Sequence, residues 1–266
     1  MCLLVAIHRV HPDAPLLVAA NRDELLARPA TAMTVLRDRG PRVLGGRDEV
    51  AGGTWLAVNE YGLVAALTNR PSKARNPAKR SRGEWPVFLA SFTSPFEAAT
   101  ALVDRFDPAD FNPGWVLVGN ADELVYVDMT ADGCGRLAEL DPGIHILENR
   151  PLEAVSSKVD LVRIRLEAID DTRSEALIDR LQKLLASHRT PAASSRPAGA
   201  DPLQRSAAAE AACVHLGEYG TRSATIVRVD RKEEPRVWSA DGRPCTHPFV
   251  EVSGLWQASG VGVASV

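Results

Sequence analysis

The sequence predicts an α+β protein built on antiparallel sheets. Three observations carry this. Short apolar runs come in groups along the first and middle thirds, joined by tight-turn residues. Two amphipathic stretches then follow one another near 156–188, and a further pair of strands closes the chain. Strand–helix–strand alternation, the mark of parallel crossovers, is missing from this order.

Residues 2–21 read as a hairpin. "LLVAIH" is apolar on both faces, "HPDAP" is turn chemistry, and "LLVAAN" is the returning strand. "VLGGRD" and "AGGTWLAV" are short strands with glycine corners. "TWLAVNEYGLVAALTN" is the clearest hairpin, with Gly62 available for positive φ. Residues 70–82 form a basic loop containing Arg70, Lys73, Arg75, Lys79, Arg80 and Arg82 with no acid. "SPFEAATALVDRF" has a serine cap and helical spacing of Phe96, Ala99, Leu102, Val103 and Phe106. "GWVLVGN", "ELVYVDMT", "GRLAEL" and "GIHILEN" give four strands, with "ADGCG" as a turn. "SSKVDLVRIRLEAI" and "SEALIDRLQKLLASH" are helices opened by serines. The 190–205 stretch is a Pro/Ala/Ser-rich loop, "GTRSATIVRVDR" and "PRVWSAD" are the last strand pair, and 258–266 is a loosely held tail.

Composition narrows the function classes. With 266 residues, 45% hydrophobic and 24% charged, the chain is an ordinary soluble protein, read as a single domain over 1–266. A net charge of −3 gives no field that recruits nucleic acid. The opening apolar stretch is too short for a secretory signal or a stable membrane insertion, so a cytoplasmic location is expected. The four cysteines show no CxxC pair, and the six histidines no ligand spacing, so no metal is expected. His8, His11, His145 and His215 are haem-ligand candidates by residue type alone.

Cys2 is the first candidate for chemistry. Removal of Met1 leaves a thiol and a free α-amine on one residue, a nucleophile beside its own base. The other reading is a small apolar residue that starts a strand. Asp23, Asn69 and Asn149 each close or follow an apolar run, and Arg222 opens one. Each taken alone also reads as a cap or turn residue. Together they supply a nucleophile, a base, a carboxylate, amide donors and a cation, which is an inventory for acyl transfer. Arg70, Lys73 and Arg75, next to Asn69, read either as a solvated loop or as a clamp for an anionic ligand.

The stretches "MCLLVAIHRVHPDAPLLVAANRDELLARP", "GGRDEVAGGTWLAVNEYGLVAALTN", "SRGE", "ENRP" and "YGTRSATIVRVD" resemble the NRDE family, of transport and Golgi organisation protein 2 type. That family is in turn similar to N-terminal-nucleophile hydrolases of the choloylglycine hydrolase and penicillin acyltransferase type. The resemblance implies a four-layer αββα sandwich. It implies Cys2 as nucleophile, Asp23 holding the α-amine, Asn69 and Asn149 as active-site amides, and Arg222 as the late arginine. Asn21, Arg22 and Glu24 of the namesake motif are then binding residues. Those hydrolases place an arginine before the Asn-x-Asp step, where this chain has Ala20 and carries Arg22 inside the motif. The implied function is an amidase or acyltransferase acting on a small non-peptide amide or thioester, with no cofactor required. The alternative is a carrier of haem or acyl-CoA.

Overall fold

The structure, a computed structural model, describes residues 2–71, 76–130, 135–167, 174–193 and 206–257. Met1, Lys73, Arg75, most of the "ADGCG" turn, 194–205 and the 258–266 tail lie outside the described residues.

In chain order the strands are β1 (Leu3–His11), β2 (Ala14–Leu25), β3 (Ala30–Arg37), β4 (Val43–Asp48), β5 (Leu56–Asn59), β6 (Val64–Asn69), β7 (Gly114–Gly119), β8 (Leu124–Met129), β9 (Arg136–Glu139), β10 (Gly143–Leu147), β11 (His215–Leu216), β12 (Tyr219–Val229), β13 (Arg236–Ala240) and β14 (Val250–Glu251). The helices are α1 (Glu84–Leu89), α2 (Pro95–Arg105), α3 (Ser157–Glu167) and α4 (Ser174–Leu185). The strands form two seven-stranded antiparallel sheets. The first runs β10-β1-β2-β12-β13-β14, with β11 on β12. The second runs β3 to β9 in sequence order.

The doubly apolar β1 is explained by its place inside the sandwich. Leu3, Val5 and Ile7 face outward with Leu17 against α3 and α4, meeting Val162, Leu166, Leu177 and Leu181. Leu4 and Ala6 face inward with Leu16 and Val18, against Leu44, Leu56 and Leu117 of the second sheet. The far side of the second sheet packs Leu63, Val116 and Val127 under Trp85, Leu89, Ala99 and Leu102 of α1 and α2. Period-two alternation thus serves two apolar layers at once, and the result is αββα.

The β5–β6 hairpin turns at Gly62 with φ +88°, as its sequence predicts. Ser94 caps α2, accepting from Glu97 N at 3.3 Å. Three local expectations change. Phe96 is an exposed residue of α2 rather than a core one. β3 and α1 carry no clear signal in the sequence. β3 is a half-buried edge strand with weak alternation, and α1 has six residues, too few to show a helical period. Arg222 does not open a strand. It lies inside β12, where the register against β2 shifts between Thr221 and Ser223.

Candidate active site

The antiparallel pairing of β1 with β2 sets the site. Leu3 lies opposite Asn21, so Cys2 comes beside Arg22 and Asp23. The Cys2 main-chain nitrogen donates to Asn149 Oδ1 at 2.7 Å. Asn149, just past β10, also donates through Nδ2 to the Asn69 carbonyl at the end of β6. One amide therefore ties the two sheets together at their rim. Because its nitrogen end is used on a carbonyl, its oxygen end must face Cys2.

Cys2 is partly exposed and opens on a cleft of about 440 Å³. Asp23, Arg22, Trp55, Asn69 and Arg82 are among its walls. Burial pushes the Cys2 thiol pKa up. The Asp23 carboxylate adds to this, while the Asp23 N–H bonded to the sulfur and the Arg22 charge oppose it. Asp23 is itself buried, and its Oδ1 accepts from Thr221 Oγ1 at 2.6 Å. Burial raises the pKa of its carboxyl too, against the Lys158 charge and the Thr221 bond.

Arg22 extends inward. Its guanidinium lies 4.4 Å from the Trp55 ring centroid and its Nη2 reaches Asp48 Oδ2 at 2.9 Å. Trp55 can lie there because Gly46 has no side chain: a Cβ would sit 2.2 Å from the indole. Arg28 grips Asp48 with two bonds, 2.8 and 2.9 Å. Burial works against the Asp48 charge, yet the Arg28 bonds win and hold its pKa below the usual carboxylate range. Arg22 is only 4% exposed, and its Nη1 has no hydrogen-bond partner among the described residues.

The structure brings together Cys2, Arg22, Asp23, Glu24 and Asn69 as cleft walls, with Asn149 bonded behind them. It sends two predicted residues elsewhere. Asn21, expected to bind ligand, is 1% exposed and donates to the carbonyls of Leu185 and Ala212, pinning the first sheet to its outer layer. It shares the outward face of Leu3 and Ala19, so alternation turns it from the interior. Arg222 occupies the β12 bulge, where its Nε donates to the Arg28 carbonyl. Arg70 follows Asn69 and donates its main-chain N–H to Pro113 O. The cleft cations near it are Lys79, Arg80 and Arg82. Sequence reasoning missed Arg28, Asp48 and Trp55. Their nearest signal is the "GGRDEVAGGTW" stretch, whose glycines mark strand corners.

Comparison with known proteins decides the family. A family model for Transport and Golgi organisation 2 matches residues 1–240. The chain belongs to the Transport and Golgi organisation 2 family. It is 30% identical over 232 residues to the Transport and Golgi organization protein 2 homolog of Bos taurus, covering 81% of this chain and 82% of that one. It is 28% identical over 233 residues to the Homo sapiens homolog, with the same coverage. Among solved structures, the Caenorhabditis elegans ortholog of N-acylethanolamine-hydrolyzing acid amidase superposes with a TM-score of 0.52 at 12% identity, over 87% of this chain and 98% of that one. The family member described here therefore has the N-terminal-nucleophile hydrolase fold. No helix among its described residues is long and apolar enough to cross a membrane.

Proposed function

We propose that the protein is an N-terminal-cysteine amidase or acyltransferase for a small non-peptide amide or thioester. The observation that carries this is the 2.7 Å bond from the Cys2 nitrogen to Asn149 Oδ1, at a cysteine that lines the cleft. Once Met1 is removed, that nitrogen is the α-amine. Neutral, it takes the thiol proton as sulfur attacks the acyl carbon, and the ammonium so formed is held by Asn149 Oδ1 with the Asp23 charge nearby. The raised thiol pKa makes this transfer necessary, because little thiolate exists beforehand. Asn69 on the cleft wall supplies a donor for the oxyanion. The ammonium then protonates the departing amine or thiolate. Water, or an acceptor amine in a transferase, attacks the thioester and frees Cys2. The free thiols of Cys2, Cys213 and Cys245 suit a reducing compartment such as the cytoplasm.

A second reading, a carrier of haem or acyl-CoA, draws on the cations Arg22, Lys79, Arg80 and Arg82 around the cleft, which suit carboxylates or phosphates. An acylating probe with intact-mass detection separates the two. The amidase reading expects mature protein without Met1 and one acyl adduct, lost in Cys2→Ser. Retained Met1 or an unlabelled wild type would reject it. A Soret band on haem addition without labelling selects the carrier.

A further inference from the structure

Away from the cleft, four side chains from three distant segments meet at the edge of the first sheet. His188 follows α4, Cys213 precedes β11, His215 begins β11, and Cys245 lies between β13 and β14. Their ligand atoms, one from each residue, all lie within 4.8 Å of one another. His215 Nε2 is 3.3 Å from Cys245 Sγ and 3.7 Å from Cys213 Sγ. The His188 ring stands edge-on to that of His215, centroids 4.6 Å apart. His188 Nδ1 is 3.1 Å from the Cys213 carbonyl oxygen.

We propose that His188, Cys213, His215 and Cys245 form a tetrahedral site for a zinc-class divalent cation. Zinc bonds of about 2.3 Å to sulfur and about 2.0–2.1 Å to nitrogen set ligand atoms roughly 3.3–3.8 Å apart in a tetrahedron. The two sulfur–nitrogen separations already match, and the widest pair needs to close by about 1 Å. Two thiolates and two imidazoles are the donor set that favours zinc over the oxygen-seeking cations. His188 is oriented for the task. An Nδ1–H donated to the Cys213 carbonyl leaves Nε2 with its lone pair, the usual arrangement behind a metal-bound imidazole. Both cysteines are free thiols, and each releases its proton to solvent on binding. Four protein ligands close the shell, so the role is structural. Sequence spacing hides the site because only Cys213 and His215 are near each other along the chain.

The ion would fasten the segment behind the candidate active site. Ala212, before Cys213, accepts from Asn21 Nδ2. Val214, after it, donates to Thr221 Oγ1, whose own proton goes to Asp23. None of the four ligands lines the cleft, so this proposal stands or falls separately from the acyl-transfer reading.

Cobalt(II) alone is the probe, added to reduced, chelator-treated full chain carrying Cys2→Ser to remove that thiol. One equivalent should produce thiolate-to-cobalt charge-transfer bands and the strong visible bands of tetrahedral cobalt, both displaced by zinc. Zinc should raise the melting temperature. Cys245→Ser and His188→Ala alter positions that are not fully buried, and circular dichroism checks that both fold. Each should weaken cobalt binding by more than the roughly 10–100-fold expected from loss of a supporting contact. Cys134→Ser should leave the bands intact. The proposal is overturned if reduced protein shows no charge-transfer bands, or if the bands survive unchanged in both ligand variants. A Cys213–Cys245 disulfide that persists under mild reductant also overturns it.

Discussion

Asp23 carries a conflict at the scale of a single residue. It is a buried carboxyl with one oxygen on Thr221 and the other, Oδ2, without a hydrogen-bond partner among the described residues. Burial disfavours its charge, and an asparagine there keeps the acceptor that Thr221 uses. Asp23→Asn is therefore expected to keep the fold at neutral pH, while Cys2 acylation slows about 100-fold through lost support of the ammonium. The labelling rate at matched stability checks this, and an unchanged rate removes Asp23 from the mechanism. The motif "NRDE" was visible in the sequence, but its division of labour was not. Arg22 turns inward to Trp55, and Asn21 outward to Leu185 and Ala212. Alternation says that neighbours differ in face. It does not say which face meets the cleft until the second sheet is in place.

At the scale of the element, β1 combines an apolar strand with a buried base. His8 is 2% exposed, and neither ring nitrogen has a hydrogen-bond partner among the described residues. Burial lowers its pKa to about 4. The unfolded chain titrates near 6.5, so the folded state's advantage is complete above that pH and shrinks as pH falls from about 6.5 towards 4. Urea unfolding should show stability dropping across this window, by less than about 1.4 kcal/mol per pH unit, the limit for one proton. His8→Phe should flatten the slope, and an equal slope in both proteins would assign the loss to other groups. The elements easiest to read were those with strong local signals: the Gly62 hairpin and the Ser94 cap. β3 and α1 escaped because an edge strand and a six-residue helix are fixed by what they pack against.

Across the whole molecule, an apolar layer packs together the two sheets whose residues wall the cleft. Leu16 is fully buried there with Leu4, Val18, Leu44 and Leu117. Leu16→Ala should cost about 2–5 kcal/mol in denaturant unfolding, because tightly packed sheets close poorly around a void. A cost under about 1 kcal/mol would mean that the interlayer core repacks freely. The active-site reading depends on this packing, since Asn149 reaches from Cys2 on one sheet to Asn69 on the other.

By itself the sequence determined the antiparallel α+β class, most strands, the helices α2, α3 and α4, and Cys2, Asp23, Asn69 and Asn149 as candidates. These follow from local periodicity, turn chemistry, the place of Cys2 directly after Met1 and the polar residues that end apolar runs. Only the tertiary structure decided that Arg28, Asp48 and Trp55 build the cleft beside Arg22, that Arg222 sits in a bulge on the Arg28 carbonyl, and that His188, Cys213, His215 and Cys245 converge. Each of these is a contact between segments far apart in the chain. Periodicity fixes which face a side chain takes, but only the packing of one sheet and its loops on another fixes what that face meets.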